Sequence, residues 1–266
     1  MLIGNVYRGV HILDNPDDLE SIVAKEDVVY LLLYSPQNSR ILVSKKKKNS
    51  FIFFLLLQSV IKIFSILLFQ DFVTEASSPL LGSPVIYAST SPELHSQFPF
   101  PAGADWSIIV HKDHDTHLPP SVFYGFYGIT QDKLRTWLLT HRLPTTLELT
   151  QNTFQSVMNA PQAPLVVIAA SQADKSDKIK DQFQELAKKW RWRTEGSGMV
   201  NGREVVFTWM DTNEWGKWMK SMYGIQSNNE YHDHDGQDLE DVKVIIADHS
   251  VCHLLPFISL FTKLFF

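Results

Sequence analysis

Few residues in this chain have types and spacings that could support chemistry, and the clearest statement they make is an exclusion. Cys252 is the single cysteine, so neither an intrachain disulfide nor a Cys-x-x-Cys pair can form. Dithiol–disulfide exchange goes with it, as do zinc sites built on four cysteines or on two cysteines and two histidines. The densest set of candidate ligands is His111, Asp113, His114, Asp115 and His117, and Tyr231-His-Asp-His-Asp235 is a second. Imidazole and carboxylate suit zinc or nickel. Both sets fall in a loop after a strand or in a polar linker, where such side chains are ordinarily solvated, so no metal site is expected. Asp233-His-Asp235-Gly236 matches only part of a calcium loop, without the later ligands and the bidentate glutamate. There is no Gly-x-Ser-x-Gly, Gly196-Ser197-Gly198 reads as a turn, and no Gly-rich phosphate loop occurs. No catalytic residue and no cofactor is expected.

The elements that would position any site repeat one pattern twice. In the first segment, Gly9 to Leu13 reads as a strand, and Asn15-Pro16-Asp17-Asp18 as a helix start with Leu19, Ile22 and Val23 on one side. Val28 to Tyr34 (VVYLLLY) is a continuous apolar run, the signature of a strand covered on both faces. Pro84 to Ala88 and Trp106 to His111 repeat that signature, Ser121 to Tyr127 reads as an edge strand, and Thr130 to Arg142 as a closing helix. The second segment starts over with a strand at Thr146 to Thr150 and a helix at Gln151 to Asn159, with Phe154, Val157 and Met158 inward. Leu165 to Ala170 is its buried strand. In the helix Lys175 to Arg191, Ile179, Phe183, Leu186 and Trp190 keep helical spacing. A strand at Val205 to Met210, a helix at Asn213 to Tyr223 with Trp215, Trp218, Met219 and Met222 on one stripe, and a strand at Val242 to Ala247 follow. Alternation of this kind predicts an α/β fold with two units, each a mixed β-sheet with helices on both faces, over 8–143 and 145–250.

Two segments break the composition. Residues 41–70 run from the lysines Lys45 to Lys48 into a Phe/Ile/Leu-rich stretch over 51–69, and residues 251–266 are again Phe- and Leu-rich. The first is long enough to span a membrane with a basic flank. Against that stand Lys62 and Gln58, which are costly in hydrocarbon, and a span here would divide the first unit. The alternative is translated intron: Val43-Ser44 can be encoded as a splice donor and Phe69-Gln70 as an acceptor, and removal leaves units of about 100 residues. A lipid-facing loop or other insert is a third reading. The N-terminus has no positive region followed by an apolar one, reads unlike a secretory signal, and resembles the middle of a larger protein.

In bulk, 44% hydrophobic and 20% charged residues indicate a globular chain, and a net charge of -5 gives no footprint for nucleic acid.

The first pattern, with VVYLLLY, PVIYAST and WSIIVHKD, resembles the non-catalytic b-type thioredoxin-like domain of protein disulfide isomerases. The run LVVIAASQADKSDKIKDQFQELAKKWRWR, then VVFTWMD, NEWGKWMKSMYGI and VKVIIAD, resembles the following b′-type domain more closely. The resemblance covers nearly everything outside 41–70 and 251–266, and is closest to the transmembrane-type isomerases of the endoplasmic reticulum. It implies two tandem thioredoxin-like domains. Where catalytic members carry Cys-x-x-Cys, this chain has Ser35-Pro36-Gln37-Asn38 and Ser171-Gln172-Ala173-Asp174. The implied function is therefore to hold unfolded polypeptide, or to act as a spacer, in the endoplasmic reticulum, with a membrane as a further partner through 51–69. The family's b′-type domain presents an apolar patch to clients. Here it would draw on Trp215, Trp218, Met219 and Met222, since adaptable apolar side chains suit varied partners.

Overall fold

The computed structural model describes residues 10–34, 72–172, 176–225 and 242–248. They fall in two compact units, Met1–Arg142 and Leu143–Phe266. The segments 41–70, 231–235 and 251–266, with Cys252, lie outside the described residues.

In the first unit the apolar run VVYLLLY becomes β2 (Val28–Tyr34), with Val29 to Leu33 fully buried. A strand in that position needs neighbours on both edges and cover on both faces. Its edges are taken by β3 (Val85–Ser89), parallel, and β4 (Ala104–Lys112), antiparallel. The sheet is completed by β1 (His11–Ile12) beside β3 and β5 (Ser121–Phe126) beside β4, giving the order β1-β3-β2-β4-β5. One face is covered by α1 (Asp18–Val23) and α3 (Pro92–Gln97) through Leu19, Val23 and Leu94. The other is covered by α2 (72–77) and α4 (Gln131–Thr140) through Val73, Ala76, Leu134 and Leu138. The Tyr30 hydroxyl crosses this core and donates to the carbonyl of Leu138 at 2.6 Å, so its polar end is satisfied where no water reaches.

The second unit begins with β6 (Thr146–Glu148) and α5 (Gln151–Met158), whose start is fixed by a capping box between Thr150 and Thr153. β7 (Leu165–Ser171), α6 (Ser176–Arg193), β8 (Met199–Val200), β9 (Arg203–Asp211), α7 (Thr212–Tyr223) and β10 (Lys243–Asp248) follow. The sheet order is β10-β7-β9-β6, with β6, β9 and β7 parallel and β10 antiparallel to β7. α5 and α7 cover one face and α6 the other. Each unit is thus a mixed sheet with helices on both faces, as the alternation of elements predicts.

The difference lies in the second half of α6. Its buried residues are Ile179, Phe183, Ala187 and Arg191, where the sequence pattern predicts Leu186 and Trp190. An indole N–H needs an acceptor, and Trp190 sits at the rim, where its Nε1 donates to the carbonyl of Gly198 at 3.0 Å. Arg191 is instead drawn inside. It and the buried Glu204 flank Gly198, their head groups 3.4 and 3.7 Å from where a side-chain carbon on that glycine would lie.

Candidate functional site

The aromatic residues of the second unit gather where α7 meets α5. Asp211, the last residue of β9, caps α7 by accepting from the backbone N–H of Asn213 at 2.9 Å, and Gly224 ends the helix in the left-handed region, with φ 65°. At about 100° per residue, Trp215, Trp218, Met219 and Met222 share an arc of about 100° on one side of α7. Met219 stands at the margin nearest the sheet and is fully buried among Val157, Ile168, Val206 and Met210. Trp218 stands at the opposite margin and would be exposed on an isolated helix. It is half-buried because Phe154 of α5 lies against it, with ring centroids 5.1 Å apart and planes nearly perpendicular. Phe154 also stacks on Trp215 at 4.7 Å, Trp215 meets Trp218 edge-on at 6.0 Å, and Trp218 meets Tyr223 at 5.2 Å. Met222 falls within this arc, one turn beyond Trp218, and is 52% exposed.

The four residues expected to form a patch therefore divide. Trp215 and Trp218 lie together at a half-buried aromatic surface, Met222 is on the outside, and Met219 is in the core beneath. Sequence periodicity assigns Phe154 to the core alone. The structure places it between the two tryptophans, as the residue that joins α5 to α7. Tyr223 closes the cluster, and burial pushes its phenol above the usual 10.0, so it stays neutral through the physiological range. The Trp215 Nε1 is buried and has no acceptor among the described residues. Such a surface has no nucleophile or charged group of its own. What it can offer is contact area for apolar and aromatic side chains, with one donor held ready.

The remaining sequence candidates do not converge. His111 is buried at the end of β4, His114 pairs through Nε2 with Asp27 Oδ1 at 3.0 Å, and the Asp115 carboxylate accepts from the backbone N–H of His117 at 2.8 Å. Among the described residues, no three of His, Cys, Asp and Glu stand together as a metal site. Ser171 is buried at the end of β7, opposite Asp211 in register. Residues 35–38 lie outside the described residues. Gly196 and Gly198 both have positive φ, and the Ser197 hydroxyl donates to the Thr194 carbonyl, which makes this segment the turn from α6 into the β8–β9 hairpin. No helix among the described residues is long and apolar enough to cross a membrane, and 51–69 lies outside them.

A family described as a thioredoxin-like domain matches residues 85–251. Curated protein sequences give no match. Among solved structures, the bb fragment of ERp72 is similar at 13% identity and a TM-score of 0.48, over 91% of this chain and 86% of that one. Zinc-bound human ERp44 is similar at 11% identity and a TM-score of 0.35, over 76% of this chain and 45% of that one. Full-length ERdj5 is similar at 15% identity and a TM-score of 0.29, over 80% of this chain and 26% of its own length.

Proposed function

This chain belongs to the thioredoxin-like domain family, and from that premise we propose that it is a non-catalytic polypeptide-holding module acting in protein folding. The observation that carries the reading is the α5–α7 surface, where Phe154, Trp215, Trp218 and Tyr223 present aromatic faces beside an exposed Met222. Aromatic and methionine side chains give large contact area with little geometric demand, which fits clients that share apolar character but no sequence. The chemistry of the family's catalytic members requires two thiols, and the sequence contains one cysteine. Any isomerase activity would belong to Cys-x-x-Cys domains of a longer chain. The resemblance of LVVIAAS, NEWGKWMKSMYGI and VKVIIAD to the b′-type domains of protein disulfide isomerases supports the endoplasmic reticulum as the compartment.

The test is titration of a fluorescent, permanently unfolded polypeptide rich in Phe and Leu, followed by anisotropy. Trp218→Ala and Phe154→Ala should each weaken binding by about tenfold, as loss of an aromatic anchor does. Trp192→Ala removes an exposed ring on α6, away from this surface, and should leave affinity unchanged. Equal affinity in all three variants would remove the α5–α7 surface from the function. Insulin reduction by the chain should be blank, and turnover would overturn the non-catalytic reading.

A further inference from the structure

The aromatic surface of α5 and α7 carries one polar atom without a partner among the described residues. Trp215 is half-buried, with its ring stacked on Phe154 and edge-on to Trp218, and its Nε1 is buried with no acceptor. The chain has seven tryptophans, and Trp215 is the one whose ring nitrogen is both buried and unpaired. A buried indole N–H ordinarily finds an acceptor, because an unmet one has given up its water for nothing. Neither ring that touches Trp215 can supply one, since phenylalanine has no acceptor and a second indole is a donor only.

Other aromatic donors in the chain show which acceptor meets them. Trp190 Nε1 donates to the main-chain carbonyl of Gly198 at 3.0 Å, and the Tyr30 hydroxyl to that of Leu138 at 2.6 Å. The helix that carries Trp215 cannot do the same, because carbonyls in its first turns accept from the N–H groups four residues on. What docks must therefore bring the acceptor. A client carboxylate would be stripped of water in a turn that already carries Glu214 and is capped by Asp211, which is costly. A main-chain carbonyl is neutral and stands beside every apolar side chain that the surface could take up. In a folded partner nearly all buried carbonyls are already engaged, and in a helix all but those of the last turn. In an unfolded chain they are bonded only to water.

Resting on the polypeptide-holding reading above, we propose that Trp215 Nε1 donates to a main-chain carbonyl of the client, and that this bond makes the surface select unfolded over folded polypeptide. Phe154, Trp218 and Met222 supply apolar contact for side chains, and the indole N–H adds a test of whether the backbone beside them is free. The nitrogen lies on the covered part of a half-buried ring, so it meets the carbonyl only as the cluster admits a client side chain. Side-chain uptake and backbone recognition then occur together.

The test replaces Trp215 in the full chain with benzothienylalanine, which keeps the shape of the ring and has sulfur in place of the N–H. Affinity for the unfolded Phe- and Leu-rich polypeptide should fall about fivefold, the effect expected of one neutral hydrogen bond. The parent protein should bind a client segment locked as a helix by a hydrocarbon staple at least about fivefold more weakly than the same segment unstapled. The substituted protein should lose most of that preference, and an unchanged preference would overturn the selection. The urea midpoint of the free protein should stay the same or rise, since an unmet donor has been removed. A fall would show that the N–H already has a partner and would overturn the proposal. In the parent protein, the Trp215 indole proton, assigned by its absence from the substituted one, should move downfield as polypeptide is added. No movement at saturation would overturn the bond as well. Failure here is separable from failure of the surface itself. Trp218→Ala without effect on polypeptide affinity removes the surface, whereas an effect of Trp218→Ala with none from loss of the N–H keeps the surface and removes the bond.

Discussion

Counted from the first residue of each central strand, Val110 and Ile246 occupy equivalent positions in two sheets of the same order, yet Val110 is fully buried and Ile246 is 40% exposed. Their local sequences, IIVHK and VIIAD, share a run of three branched apolar residues with high β-propensity. The difference comes from the neighbours: β4 lies between β2 and β5 with α4 above it, whereas among the described residues β10 has β7 on one edge, with Ile245 and Ala247 in the α5–α7 core and Val244 on the α6 face. Burial is thus a property of the layer around a strand: similar strand sequences have partners on both edges in one unit and, among the described residues, on one edge in the other.

The largest test of that contrast is isoleucine truncation in each sheet, read by hydrogen exchange on peptides from each unit. Ile108→Ala should cost about 4 kcal/mol in the first unit, because a fully enclosed side chain leaves a cavity. Ile246→Ala should cost under about 1 kcal/mol in the second, since the site is open and can collapse or hydrate. Similar losses at both would mean that Ile246 is as enclosed as Ile108, and the contrast would fail.

Next in size are two sites where one unit has a device that the other lacks. In the second unit, Arg191→Ala should cost about 3 kcal/mol, because it leaves the buried Glu204 without the guanidinium that approaches the same side of Gly198. Replacing both residues together with leucine should recover much of that loss, and a double variant no more stable than Arg191→Ala would exclude the pair as the cause. In the first unit, Trp106 lies across Gly125, so a methyl group there would meet the indole at 1.9 Å. Gly125→Ala should therefore destabilise by about 2 kcal/mol through overpacking, and Gly82→Ala, which meets nothing, only through its positive φ. A Gly125→Ala protein with unchanged unfolding would show that the indole moves freely, contrary to its contact with Phe123 at 5.7 Å.

The strands were the legible part of this chain. Short continuous apolar runs such as VVYLLLY and LVVIAAS read as central strands by their length and β-prone residues, and β2 and β7 are where those runs fall. The long helix α6 was equally legible, but not the side on which its last turn is buried. Helical spacing ranks Trp190 above Arg191 on hydrophobicity, whereas in the structure Trp190 is held at the rim by its bond to Gly198 and Arg191 is the buried residue. α3 was missed because Pro92-Glu-Leu-His-Ser-Gln97 is short and carries one buried apolar residue, so it has no periodicity to detect. Ser91 as N-cap and Pro92 in the first turn were its available signal. For the site, the stripe on α7 could be read, but not its partner. Phe154 lies 61 positions before Trp215, and only the parallel order β6-β9-β7 brings α5 beside α7.

The smallest expected effect is alkaline, and it asks whether the two units share a feature. Tyr34 in the first unit and Tyr223 in the second both have phenols raised above 10.0 by burial, because the ionised form would lose hydration. A raised folded value favours the protonated form, so this contribution is complete below pH 10 and is lost as pH climbs through the raised folded value. Urea midpoints taken between pH 8 and about pH 11 should fall for the parent protein and fall less for Tyr34→Phe and for Tyr223→Phe. The double variant should be flatter than either, since phenylalanine has nothing to ionise. If one substitution alone removed the whole slope, the other unit's tyrosine would be solvated in both states. The resemblance between the two sheets would then not extend to the ends of their core elements. A double variant as steep as the parent would assign the alkaline loss to lysines, whose deprotonation begins in the same range.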